Sequence, residues 1–236
     1  TPVAQDAARN WWGDTDPSDQ VGEPGLVDYS PWLNAPPGTS PMPLGTNDSI
    51  QAAINLATPG ATISVAAGSY EEQLNVAKDL HIEGAGEGLT TVLSPTTLTL
   101  FFTTSANNYP VIYIHNAEVH LSDLTVDGAG RGNGNYRFVG IGFWNADGSL
   151  TDITVTGVRE TPLSGAQHGV GVYAGNDTGG PYAIACTDLT VLDYQKNGVT
   201  LLGVGLDVDL LRVSCTGAGP SSAIAQNGIE LGDGAS

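Results

Sequence analysis

Ile114-His115-Asn116-Ala117-Glu118-Val119-His120-Leu121 returns 29 residues later as Phe143-Trp144-Asn145-Ala146-Asp147-Gly148-Ser149-Leu150, apolar on apolar and Asn-Ala on Asn-Ala. The same step carries Val111-Ile112-Tyr113-Ile114 onto Gly140-Ile141-Gly142-Phe143, Gly169-Val170-Gly171-Val172, Gly198-Val199-Thr200-Leu201 and Gly228-Ile229-Glu230-Leu231, at intervals of 29, 29, 29 and 30. A second ladder accompanies it: Leu121-Ser122-Asp123-Leu124, Leu150-Thr151-Asp152-Ile153, Cys186-Thr187-Asp188-Leu189 and Val208-Asp209-Leu210-Leu211. Short alternating strands recurring at this period, with no helical pattern between them, predict a solenoid of stacked coils. The count places Ile112, Ile141, Val170, Val199 and Ile229 in one internal file. It turns Gly142, Gly171, Thr200 and Glu230 outward, so that one outer face reads as nearly bare of side chains.

Bulk properties agree with many short strands joined by turns: among 236 residues there are 32 Gly and 14 Pro. Seven Lys+Arg against 25 Asp+Glu give a net charge of −18, which repels phosphate backbones and anionic lipid surfaces. Nucleic acid is therefore excluded as a partner, and no apolar run is long enough for membrane insertion. The chain opens Thr1-Pro2 without a Met or a basic-apolar leader, which reads as a processed or excised piece and fits a secreted or cell-surface protein. Cys186 and Cys215 fall about seven residues apart along adjacent rungs, roughly 23 Å at strand rise, so two free thiols are expected.

Residues 1–45 stand outside the repeat as an irregular extension dense in Pro, Gly and Asp, with Trp11, Trp12, Tyr29 and Trp32 as apolar anchors. The repeat domain spans 46–236. It starts with Asn47-Asp48-Ser49 as capping residues for a helix over 48–57, in which Ile50, Ala53, Ile54 and Ala57 share one face and Pro59-Gly60 ends the run. Two alternating strands, Ala61-Thr62-Ile63-Ser64-Val65 and Leu74-Asn75-Val76, follow.

The run Ser49-Ile50-Gln51-Ala52-Ala53-Ile54, Ile63 through Glu72 and Leu80-His81-Ile82-Glu83-Gly84-Ala85-Gly86 resembles the opening of right-handed parallel β-helix proteins of the pectate-lyase-like superfamily, including pectin methylesterases. Gln167-His168-Gly169-Val170, Asp193 through Gly198 and Ala225 through Ile229 are similar to segments of bacterial surface or secreted β-helix proteins. The resemblance implies an all-β, right-handed parallel β-helix whose helix plugs the N-terminal end. Asn10-Trp11-Trp12-Gly13 through Leu33 is similar to the tail that closes the opposite end of such folds. The last rung, with Ile229 and Leu231, has no recognisable cap, and an open rung is an association hazard. One reading lets the amino-terminal segment of one copy cover the last rung of the next, head to tail. The other makes the chain part of a longer tandem protein with adjoining domains.

Spacing between the ladders locates a candidate site. Three rungs carry loops, over 129–137, 159–167 and 218–226, where the fourth has none, which predicts a notch above Asp193-Tyr194-Gln195-Lys196. Arg159, Glu160, Gln167 and His168 would wall it on one side, Gln226 and Asn227 on the other. The competing expectation is a stacked amide column through Gln167-His168, Lys196-Asn197 and Gln226-Asn227. Asp123, Asp152 and Asp188 share another column. Calcium is the cation such carboxylates would hold, and backbone bonding at a corner is the alternative; no cofactor is otherwise required.

The catalytic segments of pectin methylesterases and polygalacturonases are not matched residue by residue. Asp193 with Lys196 and Arg159 is the nearest approach to the acid-plus-base set of a lyase, with His168 a further catalytic candidate. The expected function is thus an extracellular structural or adhesive β-helix module, self-assembling into a filament or belonging to a larger surface protein, with polysaccharide as its ligand. A polysaccharide lyase or glycoside hydrolase acting on an acidic glycan is the alternative.

Overall fold

The computed structural model describes residues 49–236, together with the backbone of the short strands Gln5–Asp6, Val27–Asp28 and Met42–Leu44. Trp11, Trp12, Tyr29 and Trp32 lie outside the described residues. The expected helix runs Ile50–Leu56. Ser49 caps it by accepting from the Ala52 N–H at 3.1 Å, while the Glu72 carboxylate accepts from the N–H groups of Ile50 and Gln51 at 2.9 and 3.0 Å. These acceptors occupy donors that the first helical turn leaves without intrahelical partners. At the other end Lys78 Nζ donates to the carbonyls of Asn55 and Ala57. Ile50, Ala53, Ile54 and Ala57 are buried in one core with the first strands, so the helix seals that end of the stack.

Each rung then adds a strand to a front sheet ordered Leu74–Val76, Asn107–His115, Phe138–Trp144, Val170–Gly175, Asn197–Leu202 and Asn227–Gly232. A back sheet runs Met42–Leu44, Ala61–Val65, Leu80–Glu83, Glu118–Asp127, Asp147–Thr156, Tyr182–Leu192 and Leu206–Leu211. Neighbours along both orders pair in parallel. The long back strands bend at Asp123, Asp152 and Asp188, whose φ angles are 56°, 52° and 53°. Beyond that bend Thr90–Leu93 and Ser214–Thr216 join the ladder, making a further face. The chain is a parallel β-helix. Its core is built of files such as Val76, Ile114, Phe143, Ala174 and Leu201, all buried, each large member contributing about 1.5–3 kcal/mol by removal from water. On the last rung the same files end in Ile229 and Leu231, which are 47% and 53% exposed.

The register corrects two expectations. Ile141 pairs with Val172, not Val170, and Val172 with Val199, so the internal file is Ile112, Ile141, Val172, Val199 and Ile229. A two-residue slip keeps the alternation, and Gly169-Val170-Gly171-Val172 fits either register. The far end of the strand decides. There the observed register stacks the turn-forming residues Asn145, Asn176, Gly203 and Asp233 after the pairs Trp144–Gly175 and Leu202–Gly232, where the 29-residue step would put Ala174 into the corner. The outward column is therefore Tyr113, Gly142, Tyr173, Thr200 and Glu230, which is far from bare. Gly171 instead joins Gly140, Gly198 and Gly228 at an inner corner, where an added Cβ would stand 2.3 Å from Val191 Cγ1 and 2.7 Å from the Gly198 carbonyl oxygen.

The second correction is of the same size. Thr187 pairs with Leu211 and Val191 with Cys215, so Val213 and not Leu211 continues the file of Leu189. Arg212 occupies the left-handed corner after Asp188, with φ 54°, and its guanidinium donates to both carboxylate oxygens at 2.5 and 2.6 Å. Cys186 and Cys215 are then five positions apart on adjacent rungs, with the bend at Asp188 and Arg212 between them, and both thiols are free.

Candidate functional site

The loops over 159–167 and 218–226 lie on one edge of the coil, as their spacing requires, and they approach each other: a Cβ on Gly165 would stand 3.3 Å from the Ala223 carbonyl oxygen. Beneath them Tyr194 and Gln195 are buried. Arg159 Nε donates to both oxygens of Asp193 at 2.7 and 2.8 Å. Gln195 Oε1 accepts from the Glu160 N–H at 2.9 Å, and its Nε2 donates to the Ala166 carbonyl at 3.0 Å. Gln226 Nε2 donates to the Tyr194 carbonyl at 2.8 Å, and Lys196 Nζ to the Ala225 carbonyl at 3.3 Å. The sequence-predicted set is thus brought together, mostly as donors and acceptors to one another and to the loop backbone. Of the amide column, Asn197 and Asn227 stack with Nδ2 of Asn227 donating to Oδ1 of Asn197 at 2.9 Å. The slip puts Val170, not His168, on the preceding rung.

Three of these residues, Gln167, His168 and Lys196, also reach the front face, and there the surface is open. The strand Phe102–Thr103 folds back antiparallel on Asn107–Asn108 and lays the Phe102 ring over Gly142, where an added Cβ would stand 3.6 Å from Phe102 Cε1. A methyl at position 142 would meet the ring at ordinary contact distance, and a side chain larger than that would occupy the space the ring fills. Phe102 stacks 5.2 Å from both Tyr113 and Trp144, and lies tilted 5.8 Å from Tyr173. Two depressions flank this aromatic cluster. One, of about 640 Å³, is lined by Arg137, Trp144, Tyr173, Asn176, Asp177 and Asp233. The other, of about 240 Å³, is lined by Arg137, His168, Tyr173, Lys196, Asn197 and Glu230. Sharing Arg137 and Tyr173, they form one groove across the rungs of the front sheet.

Charge is distributed unevenly along the chain. Arg131, Arg159 and Arg212 each face a carboxylate, and Lys78 caps the helix. Arg137 and Lys196 have no carboxylate partner among the described residues: Arg137 donates to the hydroxyls of Thr104 and Ser105 at 2.9 and 2.8 Å, Lys196 to a carbonyl. Both stand in the groove. Two buried polar atoms lack any partner among the described residues, His168 Nδ1 and Asn176 Nδ2, and both residues line it as well. Burial, then the nearby Asp177 charge, pushes the Tyr113 phenol up to about 12, and burial raises Tyr173, so both rings stay neutral.

The sequence reading missed Arg137, Trp144, Tyr173 and Asn176. A two-residue error made this face look empty, and the arm over 101–108 belongs to no repeat. Asp123, Asp152 and Asp188 do form a column at the left-handed corner. Hydrogen bonding from Arg212 holds the Asp188 carboxyl below its usual range, and among the described residues no group of His, Cys, Asp and Glu is arranged to hold a metal ion.

No protein-family model matches the chain, and no curated protein does. Solved structures similar to it include a pectin methylesterase mutant in complex with hexasaccharide IV, at 11% identity and a TM-score of 0.43, and a pectin methylesterase in complex with hexasaccharide VII, at 12% and 0.38. Each alignment covers 76% of this chain and 65% of the other, so the chain spans about two thirds of the length of the proteins it matches.

Proposed function

We propose that the front groove binds an extended acidic polysaccharide and that the chain acts as an extracellular structural or adhesive β-helix module. The observation carrying this reading is the placement of Arg137 and Lys196. In a chain of net charge −18, two cations that have no ion pair among the described residues line a groove together with Tyr173 and other aromatic rings. Aromatic faces suit the apolar faces of sugar rings, while guanidinium and ammonium groups suit carboxylates. Strands about 4.8 Å apart carry the groove across several rungs, which fits a linear chain better than a compact ligand. No helix among the described residues is long and apolar enough to cross a membrane.

Titration calorimetry with an oligomer of galacturonic acid and with cellohexaose tests the reading. Binding of the acidic oligomer that weakens with added salt and in Arg137→Ala, with the oligomer recovered at its original length, supports the module. Release of unsaturated uronides would replace it with a lyase. Equal binding of both oligomers would remove the charge argument. End-to-end assembly is part of the proposal: the exposed Val204, Leu211, Ile229 and Leu231 form an apolar edge at the last rung. Light scattering across a dilution series, unchanged by Ile229→Lys, would remove that part.

A further inference from the structure

His168 is the most deeply buried titratable group on the groove wall, with only 2% of its surface exposed. Its Nε2 lies 3.2 Å from Glu160 Oε1. Glu160 is held in turn: its backbone N–H donates to Gln195 Oε1 at 2.9 Å, its Oε2 stands 3.5 Å from Gln195 Nε2, and Ser164 bonds its side chain. Tyr136 packs edge-on against the imidazole at 5.2 Å. A carboxylate only accepts hydrogen bonds, so the ring proton of neutral His168 belongs on Nε2. Nδ1 is left as a bare lone pair with no partner among the described residues. A buried polar atom in that condition costs free energy that a ligand donor recovers.

We infer that His168 Nδ1 is a hydroxyl-reading position of the groove, accepting a hydrogen bond from a sugar O–H, with Glu160 as the positioning residue that fixes the acceptor tautomer. The inference rests on the groove binding a polysaccharide and adds the contact that reads a neutral hydroxyl, beside the cations that read charge. Burial pushes the His168 pKa below its ordinary value, offset in part by the hydrogen bond and charge of Glu160, which keeps the lone pair available at neutral pH. Glu160→Gln inverts the polarity: the amide can donate to Nε2, which moves the ring proton to Nδ1 and turns the acceptor into a donor.

Nitrogen-15 spectra of the imidazole, recorded at neutral pH on the free chain and with the galacturonic acid oligomer or cellohexaose added, provide the test. The expected result is a free chain with Nε2 protonated and Nδ1 bare, an Nδ1 shift on ligand addition, and the opposite tautomer in Glu160→Gln. His168→Phe, which keeps a ring and lacks both nitrogens, should weaken binding by roughly tenfold, the scale of one lost hydrogen bond. His168→Asn, which places an amide oxygen near the Nδ1 position, should recover part of it. Ligand binding that shifts Trp144 and Tyr173 and leaves both His168 nitrogens unmoved would overturn this inference and leave the groove standing. Failure of every oligomer to bind would overturn both, and a proton found on Nδ1 of the free chain would overturn the tautomer argument directly.

Discussion

The loop edge above 193–196 and the groove on the front sheet are made of the same kinds of side chain, yet they differ in where their polar atoms point. On the edge, Arg159 meets Asp193, Gln195 meets Glu160 and Ala166, and Gln226 meets Tyr194, so the chain answers most of its own polar groups. In the groove, among the described residues, Arg137 and Lys196 make no ion pair, and His168 Nδ1 and Asn176 Nδ2 have no partner. A self-answered network holds loops in place, whereas unanswered groups on a concave wall are prepared for something from outside. Substitutions on the edge should therefore register in stability, and substitutions in the groove in binding.

The largest expected effect tests the scaffold both regions share. Gly171→Val pushes a branched side chain against Val191 Cγ1, only 2.3 Å from the position of its Cβ, and should cost more than about 3 kcal/mol in urea unfolding or abolish folding. Gly142→Ala, on the same sheet with its Cβ 3.4 Å from the nearest atom, should stay within about 1 kcal/mol. Gln195→Ala comes next, because it strips partners from the Glu160 N–H and the Ala166 carbonyl in a buried position; a loss of about 2–3 kcal/mol should lower the melting temperature by about 4–10 °C. If melting is unchanged, the edge is not the brace described.

Exchanging one arginine in each region separates the two roles most directly. Arg159→Ala should destabilise by about 1 kcal/mol, since its pair with Asp193 is partly solvated, and leave oligosaccharide affinity alone. Arg137→Ala should do the reverse, weakening the acidic oligomer by about tenfold at nearly constant melting temperature. The smallest effect is one of pH. Burial holds the His168 pKa below its ordinary value despite Glu160, so its contribution to stability is complete above that ordinary value, about 6.5, and is lost as pH falls through the folded value. Tyr136, Arg137, Tyr173, Lys196 and Glu230 are the other charged or titratable groups packed on this ring or lining its depression. His168→Phe should flatten that limb of a melting-temperature profile, and an unchanged limb would assign it to carboxylates such as Asp188, also held low.

Most of the architecture was written in periodicity. Alternation and a step near 29 residues define parallel rungs, and the capping run Asn47-Asp48-Ser49 before one apolar face and Pro59-Gly60 predicts the helix, whereas the Glu72 cap was not legible. Period alone does not define register where Gly-Val-Gly-Val satisfies two alignments equally, and the choice fell to Asn176 and Asp233 at the corner beyond. The edge residues from Arg159 to Gln226 could be grouped from loop lengths, because length decides which edge a connection occupies. The groove could not be grouped that way. Its members are joined by an outward column shifted by two positions and by a nonrepeating arm carrying Phe102, Thr104 and Ser105.

The inner corner of Gly140, Gly171, Gly198 and Gly228 bears on how such a chain can grow. Gly140, Gly171 and Gly198 are crowded by the backbone or core of the next rung, whereas a Cβ on Gly228 would meet only Cys215 Cβ at 3.7 Å, so tolerance to mutation there follows the long axis of the molecule and skips through the gene in steps of roughly one coil. A saturation library would show three narrow bands of intolerance, at Gly140, Gly171 and Gly198, with permissive stretches between. Duplication of a whole coil copies its band along with its strands, so lengthening by duplication keeps the corner intact, while piecemeal insertion of residues next to it does not.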